Sequence, residues 1–328
     1  MPTNLPPEYF EVEKEYKAAT TVEDKISLLE ELISTVPKHK GTDHLRADLR
    51  RRLSKLKDSA KTQKKGGKQE TPFRIEPEGA GQVVVVGPPN VGKSSLVVAL
   101  TNATPEIAEF PFTTWTPTPG MMTVDNVQVQ LIDTPPLNPE FVEPQLMDLV
   151  RRADMVLLVV DLQAFPIQQL EDSVRLLAEH RVVPLHRAAN YEGGRRVFAK
   201  PFVVLANKCD DESFEDDFEV LCELLEEDWH LVAASALTAR NLDGLGQAVF
   251  ERLGVIRVYA KPPGREPDLS APFVMERGGT VAEFARKVHQ DFYHNLKAAR
   301  VWGKDVFEGQ MVGRDHVLHD GDVVELRL

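Results

Sequence analysis

A glycine-rich turn between an apolar run and a helical stretch constrains this chain more than any other feature. Val83–Val86 is followed directly by Gly87-Pro88-Pro89-Asn90-Val91-Gly92-Lys93-Ser94, and a helical pattern continues from Ser95 to Leu100. Glycines let such a turn curl until successive N–H groups face one point. The N-terminus of the helix adds positive field at that point. The pattern therefore predicts a strand–loop–helix unit that binds phosphate.

Short apolar runs alternate with helical segments from about residue 81 to residue 254. Because such alternation is typical of a parallel sheet covered on both faces, it predicts an α/β domain with a mostly parallel sheet. Residues 181–200 show no clear pattern. The strands are expected at Val83–Val86, Val127–Ile132, Met155–Val160, Phe202–Ala206 and Leu231–Ala234, and intervening helices at Leu170–His180 and Phe214–Glu227.

The flanking regions have different patterns. Before residue 60, a capping box at Thr21–Asp24 and two sets of spaced leucines predict a helical hairpin, followed by a basic linker at 61–68. After residue 255, two strands surround a helix that opens at Thr280 and turns Phe284, Val288 and Phe292 inward, which predicts a small α+β domain. The expected domains are 1–70, 71–254 and 255–328.

Charge is distributed unevenly in a chain whose net charge is −12. Residues 38–68 carry twelve Lys and Arg against three Asp and Glu, whereas residues 210–228 carry eleven Asp and Glu and no Lys or Arg. The basic arm indicates either contact with a polyanion such as RNA or a solvated helix followed by a linker.

Cys209 and Cys222 could form a redox pair or half of a metal site, or be small, partly buried residues in a reducing cytosol. Neither a secretory signal nor a membrane span is expected.

Polar motifs follow three further strands, at the edge where parallel sheets hold ligands. Asp133 is expected to reach a Mg²⁺ ion held by Ser94, while Lys93 contacts the β- and γ-phosphates. The carboxylate of Asp210 can accept two hydrogen bonds from guanine, whereas adenine has no donors at those positions. Asn207 would support this loop, and the stem of Lys208 would pack over the base.

Two less specific segments complete the predicted site. Ser235-Ala236-Leu237 can offer a backbone N–H to the guanine carbonyl. Between the glycine-rich turn and Asp133, a hydroxyl of Thr114, or else of Thr113, could complete the Mg²⁺ shell when the γ-phosphate is present. Each of these hydroxyls could instead belong to a loop that only packs on the domain. Together with Ser95, these residues predict a site for GTP or GDP with Mg²⁺.

With those residues in view, the chain resembles the developmentally regulated GTP-binding proteins, within the wider Obg family of GTPases. The resemblance rests on residues 87–95, Phe110-Pro111-Phe112-Thr113-Thr114, Asp133-Thr134-Pro135 and Asn207-Lys208-Cys209-Asp210. Residues 257–262 and 301–303 resemble the TGS domain, a ubiquitin-like β-grasp. The resemblance implies a cytoplasmic GTPase that works near ribosomes or RNA.

Three positions bear on the mechanism that the resemblance implies. Leu137 stands where Ras-type enzymes have a water-orienting glutamine. Members of the class with a hydrophobic residue there often use K⁺, held partly by a P-loop asparagine that Asn90 matches. Pro136 replaces the family's glycine and has no N–H for the γ-phosphate. We expect a slow, K⁺-stimulated GTPase that docks on RNA or a ribosomal factor through the arm and the TGS domain. The alternative is a GTP-gated binding module with negligible hydrolysis.

Overall fold

The computed structural model of the protein describes most of the chain after residue 72 and parts of the chain before it. The described residues are 6, 9, 10, 12, 14, 16, 22–36, 49–53, 73–101, 116–140, 142–191 and 197–328. The chain divides after residue 71 into two compact units, Met1–Thr71 and Pro72–Leu328.

The first unit contains the helix α1, Val22–Thr35, which begins directly after the threonine of the predicted capping box. Residues 49–53 are also helical. Leu29, Leu32 and Leu49 are buried in a small core with Tyr9 and Val12. The turn between the two predicted helices and the basic linker lie outside the described residues.

A six-stranded sheet forms the centre of the second unit. Its strands are β1 Gln82–Val86, β2 Thr118–Val124, β3 Val127–Asp133, β4 Met155–Asp161, β7 Phe202–Asn207 and β8 Leu231–Ala233, and a separate parallel pair is formed by β5 Val182–Pro184 and β6 Phe198–Lys200. The order in the sheet is β2-β3-β1-β4-β7-β8, and every neighbouring pair is parallel except β2 and β3. The predicted mostly parallel sheet is therefore confirmed, with one antiparallel edge strand added.

Helices cover both faces of this sheet because the strand side chains alternate between two cores. The helices are α2 Lys93–Leu100, α3 Pro144–Arg152, α4 Pro166–Glu179, α5 Glu215–Leu224 and α6 Leu242–Leu253, with 3₁₀ turns at Leu185–Asn190 and Glu212–Phe214. Val84 and Val86 of β1 belong to one core, with apolar residues of α3, α4 and α5. Val83 and Val85 belong to the other, with residues of α2 and α6. No helix in the described ranges is long and apolar enough to cross a membrane.

A second sheet of five strands follows α6, formed by β9 Val255–Ala260, β10 Phe273–Glu276, β11 Ala298–Trp302, β12 Gln310–Val312 and β13 Asp322–Arg327. Its order is β10-β9-β13-β11-β12. Only β9 and β13 pair in parallel. The sheet packs on the helix α7, Val281–Val288, whose Phe284 is fully buried. This is the β-grasp arrangement that the resemblance to TGS domains implies.

The helix α7 starts as predicted but ends earlier. Thr280 and Glu283 form both hydrogen bonds of the capping box. The prediction of one helix reaching Phe292 is wrong, because His289 is extended at φ −170° and ψ 150°. Phe292 lies instead on a short helix α8, Gln290–Asn295, from which it still packs against the core.

The two sheets share packing and polar contacts. Val255 and Val274, from β9 and β10, pack with the core that contains α2 and α6. Arg257 forms ion pairs with Asp125, in the turn between β2 and β3, and with Asp320. Asn126 in the same turn donates hydrogen bonds to the Tyr259 hydroxyl and to the Leu269 carbonyl, each at 2.9 Å.

Candidate nucleotide-binding site

The loops after the carboxyl ends of β1, β7 and β8 converge on one pocket of about 510 Å³. This volume is within the range of small-molecule sites. Its position is also the edge where open α/β sheets bind ligands. The lining residues are Gly92, Ser94, Ser95, Val98, Ala99, Asn207, Lys208, Asp210, Ser235, Ala236 and Leu237.

Two glycines of the loop are required by the backbone geometry. Gly87 has φ +153°, and a Cβ there would lie 2.3 Å from the Val159 carbonyl oxygen. Gly92 has φ +90°, and its Cβ would lie 2.5 Å from Nδ2 of Asn207. Asn90 also adopts a left-handed conformation, with φ 65°, which asparagine tolerates better than most residues. The loop Gly87–Gly92 is therefore held tightly against the ends of β4 and β7.

The helix α2 presents an anion-binding N-terminus to the pocket. Gly92 is its N-cap and has no side chain with which to cap the helix. The first N–H groups of a helix have no intrahelical acceptor, so they can bind an anion that lies just beyond the end of the helix. Gly87-Pro88-Pro89-Asn90-Val91-Gly92 leads directly into this helix, as the sequence predicts.

Lys93 is a buried cation at the start of α2, with only 6% of its surface exposed. Its ammonium donates hydrogen bonds to the carbonyls of Gly87, at 3.0 Å, and Pro88, at 2.8 Å. Burial lowers the pKa of Lys93 to about 8, although the carboxylate of Asp133 acts in the opposite direction. The departure from 10.5 corresponds to about 3 kcal/mol against the charged form. An anionic phosphate beside Lys93 would offset this cost.

Ser94 and Asp133 meet beside the ammonium. The Ser94 hydroxyl donates a 2.6 Å hydrogen bond to Oδ2 of Asp133. Oδ1 of Asp133 is buried and has no hydrogen-bond partner among the described residues. Burial raises the pKa of Asp133, opposed by the Ser94 hydrogen bond and the charge of Lys93. A hydroxyl oxygen beside a carboxylate with a free oxygen suits a hard cation such as Mg²⁺. Thr113 and Thr114 lie outside the described residues.

Asn207 joins the two halves of the site. Its Nδ2 donates to the Val91 carbonyl at 2.7 Å, and its Oδ1 accepts from the Ala236 N–H at 3.1 Å. One buried amide therefore links the phosphate-side loop to the loop after β8. Cys209, two residues on, is a buried free thiol, whereas Cys222 is a free thiol at the surface.

The base side of the pocket is formed by Asp210 and residues 235–237. Oδ1 of Asp210 accepts a 2.6 Å hydrogen bond from the Ser235 hydroxyl, which orients the carboxylate. The N–H groups of Ser235, Ala236 and Leu237 each have an acceptor within the protein. A guanine carbonyl would therefore share the Ala236 N–H with Asn207, which modifies the role expected for the tripeptide.

Sequence patterns did not indicate two contributions to this pocket. Asp161, at the end of β4, forms an ion pair with Lys208, and Gln163 donates a 2.8 Å hydrogen bond to the Lys208 carbonyl. Their position directly after a buried strand was the signal that could have found them. Val98 and Ala99 of α2 add an apolar wall, for which no motif gives a signal.

Pro136 and Leu137 follow Asp133 in the loop after β3. The Leu137 side chain is 3% exposed and packs in the core with α3. Its N–H donates a 3.0 Å hydrogen bond to the Gly87 carbonyl. Neither residue supplies a polar side chain for orienting water.

Comparisons with known proteins match two parts of the chain. Residues 82–208 match the family described as 50S ribosome-binding GTPase, and residues 256–327 match the TGS domain. An uncharacterized GTP-binding protein of Methanocaldococcus jannaschii is 29% identical, over 93% of this chain and 92% of its own length. Developmentally-regulated GTP-binding protein 1 of Xenopus laevis is 28% identical, over 92% of this chain and 98% of its own length.

Among solved structures, the Schizosaccharomyces pombe YchF GTPase has a similar fold. The TM-score is 0.52 at 13% identity, and the match covers 77% of this chain and 99% of that chain. At this identity the similarity concerns the fold alone.

Proposed function

The chain belongs to the GTP-binding proteins that join a GTPase domain to a C-terminal TGS domain, and we propose that it binds GTP–Mg²⁺ and hydrolyses it slowly. The observation that carries this proposal is the convergence of Ser94, Asn207 and Asp210 on one pocket, with the buried Lys93 next to Ser94 in the chain. Within it, the phosphate-side and base-side groups are joined by the amide of Asn207.

Phosphate and metal binding follow from the groups around α2. Lys93 and the N-terminal N–H groups of α2 would hold the β- and γ-phosphates. Ser94 would ligate Mg²⁺ directly and Asp133 through water, with Thr114 as the further ligand that we infer from the sequence. The ion would neutralise charge that develops on the phosphates. The unpartnered Oδ1 of Asp133 supports this assignment.

Guanine selection is assigned to Asp210. Its carboxylate lines the pocket and is oriented by Ser235, so that it can accept from the two donors on the guanine edge. Equilibrium binding of GDP, GTP and ATP with Mg²⁺ tests the proposal. We expect Lys93→Ala to abolish tight GDP binding and Lys304→Ala, at an exposed lysine after β11, to leave it unchanged. Equal affinity for ATP and GTP would contradict the assignment of Asp210.

Slow hydrolysis is inferred from the loop after β3. The Leu137 side chain is directed into the core, and Pro136 has no N–H to offer the γ-phosphate. We propose that K⁺ supplies part of the missing charge stabilisation, with the exposed Asn90 as one of its ligands. Hydrolysis should then be faster in KCl than in NaCl, and Asn90→Ala should remove that difference. Equal rates in both salts, with no effect of the substitution, would refute the K⁺ hypothesis.

A second candidate is a GTP-gated binding module with negligible hydrolysis, which the same two residues favour. Single-turnover hydrolysis measured beside GTP and GDP affinities separates the two functions. A single-turnover rate equal to that of free GTP would favour the module, and a rate clearly above it would favour the GTPase.

Ribosomes or RNA are the proposed partners, and the cytoplasm is the proposed location. The matching family description, 50S ribosome-binding GTPase, and the basic arm at residues 38–68 support this partner. Lys and Arg that neutralise phosphates make binding weaken as salt rises. Deleting residues 38–68 should therefore weaken RNA or ribosome association and flatten its salt dependence, whereas unchanged association would assign the arm to a linker. We propose domain boundaries near residues 70 and 254, and because the hydrophobic core continues past the second of these, only the first is suited to truncation.

A further inference from the structure

We propose that Asp161 is a positioning residue for base recognition, which holds Lys208 against the plane of the bound purine. This inference rests on the proposed guanine-nucleotide site and names a residue that none of the sequence motifs contains. It is carried by three contacts between the turn after β4 and the loop after β7.

The first contact fixes the side chain of Lys208. Its ammonium forms an ion pair with Oδ2 of Asp161, whose side chain is only 12% exposed. Oδ1 of the same carboxylate accepts a 3.0 Å hydrogen bond from the Gln163 N–H. Both oxygens are therefore engaged, so the carboxylate has one orientation and the lysine stem is held where it lines the pocket.

The other contacts fix the backbone of Lys208. This residue has φ 67°, a left-handed conformation that disfavours side chains with a Cβ. Nε2 of Gln163 donates to the Lys208 carbonyl at 2.8 Å, and the Leu162 N–H donates to the Asn207 carbonyl at 3.0 Å. Asp161 and Asn207 are also paired in register across β4 and β7. The turn at residues 161–163 thus holds the two peptide groups that flank the strained residue, through the carbonyls of Asn207 and Lys208.

The consequence for binding is that the lysine stem is ordered before the base arrives. An unrestrained lysine side chain has many rotamers, and fixing it on binding would weaken affinity. Asp161→Asn retains the shape of the side chain but removes its charge. We expect this variant to bind GDP about tenfold more weakly, equivalent to about 1.4 kcal/mol.

Inosine diphosphate distinguishes this role from that of Asp210. It lacks the exocyclic amino group that Asp210 is proposed to accept from, but it presents the same purine plane to Lys208. Asp161→Asn should therefore weaken the binding of GDP and of IDP by the same factor. Asp210→Asn should instead lower the ratio of GDP affinity to IDP affinity. General disordering of the loop would also change this ratio, because Asp210 lies two residues after Lys208.

The experiment measures GDP and IDP dissociation constants by calorimetry on the full chain. The matched control is Asp172→Asn, which removes an ion pair with Arg175 on α4 that lies outside the pocket. Lys208→Met keeps the apolar stem without the ammonium. This variant should weaken GDP binding by a similar factor. Adding Asp161→Asn to Lys208→Met should then weaken GDP binding no further.

Each outcome decides the proposal. Wild-type affinity in Lys208→Met or in folded Asp161→Asn would overturn it, and so would a changed GDP to IDP ratio in Asp161→Asn. Additive losses in the double variant would do the same. If Asp161→Asn does not fold, Lys208→Met alone still decides. Failure of the wild-type chain to bind GDP would instead refute the proposed function.

Discussion

Raising the pH from 7 to 9 should weaken nucleotide binding about tenfold through Lys93. Burial lowers the pKa of this lysine to about 8. A bound polyphosphate favours the ammonium and so raises the pKa above that value. Binding therefore takes up a proton above pH 8, and affinity falls as the pH rises through this value. Below the lower pKa the lysine is charged in both states, so affinity becomes independent of this group.

The magnitude follows from the fraction of protein in which Lys93 is charged before binding. With a pKa of about 8, this fraction falls from roughly nine-tenths at pH 7 to roughly one-tenth at pH 9. The difference is about 1.4 kcal/mol in binding free energy, provided that the lysine remains charged in the complex.

Calorimetric titration with GDP and Mg²⁺ across this pH range measures the effect. GMP serves as the control, because it carries the same base but no β-phosphate for Lys93 to contact. We expect GDP affinity to fall more steeply with pH than GMP affinity. If GDP affinity were constant from pH 7 to 9, or changed in parallel with that of GMP, the reasoning about Lys93 would be refuted.

Three substitutions test the packing around the site by urea unfolding. Gly92→Ala places a Cβ 2.5 Å from Nδ2 of Asn207 and keeps a left-handed φ of 90°. We therefore expect a loss of about 2–3 kcal/mol in the free energy of unfolding. An unchanged urea midpoint would mean that Asn207 can move freely. Leu158→Ala empties a fully buried position of β4 and should cost about 2–5 kcal/mol, whereas Leu269→Ala, at a side chain 56% exposed, should cost far less. Arg257→Met removes two partly buried ion pairs and should destabilise the second unit by about 1–3 kcal/mol; stability equal to wild type would mean that these pairs contribute nothing.

The sequence predicted most of the central sheet because β1, β4 and β7 are apolar runs and β3 alternates between valine and glutamine before Leu131 and Ile132. Polar residues directly after those runs, such as Asp133 and Asp210, could be assigned to one edge because parallel strands end at the same side. The edge strand β2 was not predicted, since Pro119 and Gly120 are atypical of strands. The helix α6 was missed for a related reason, because Gly244 and Gly246 lower its helix propensity.

Contacts that depend on strand order were beyond the reach of local patterns. Asp161 and Lys208 are far apart in sequence, and they meet only because β4 pairs with β7. The Ala236 N–H is a similar case, since its acceptor, Oδ1 of Asn207, lies on another strand. The end of α7 at His289 reflects a backbone conformation for which the apolar spacing gave no signal.

The packing of Val255 and Val274 into the core beside α2 and α6 has a consequence for how the second unit unfolds and can be divided. The match to the GTPase family ends at residue 208 and the match to the TGS domain begins at residue 256. The hydrophobic core continues across the end of this interval. Cutting the chain there would expose apolar side chains on both fragments and leave Asp125 without Arg257. We therefore expect residues 72–328 to unfold as one cooperative unit, in which the C-terminal sheet supports the nucleotide-binding half.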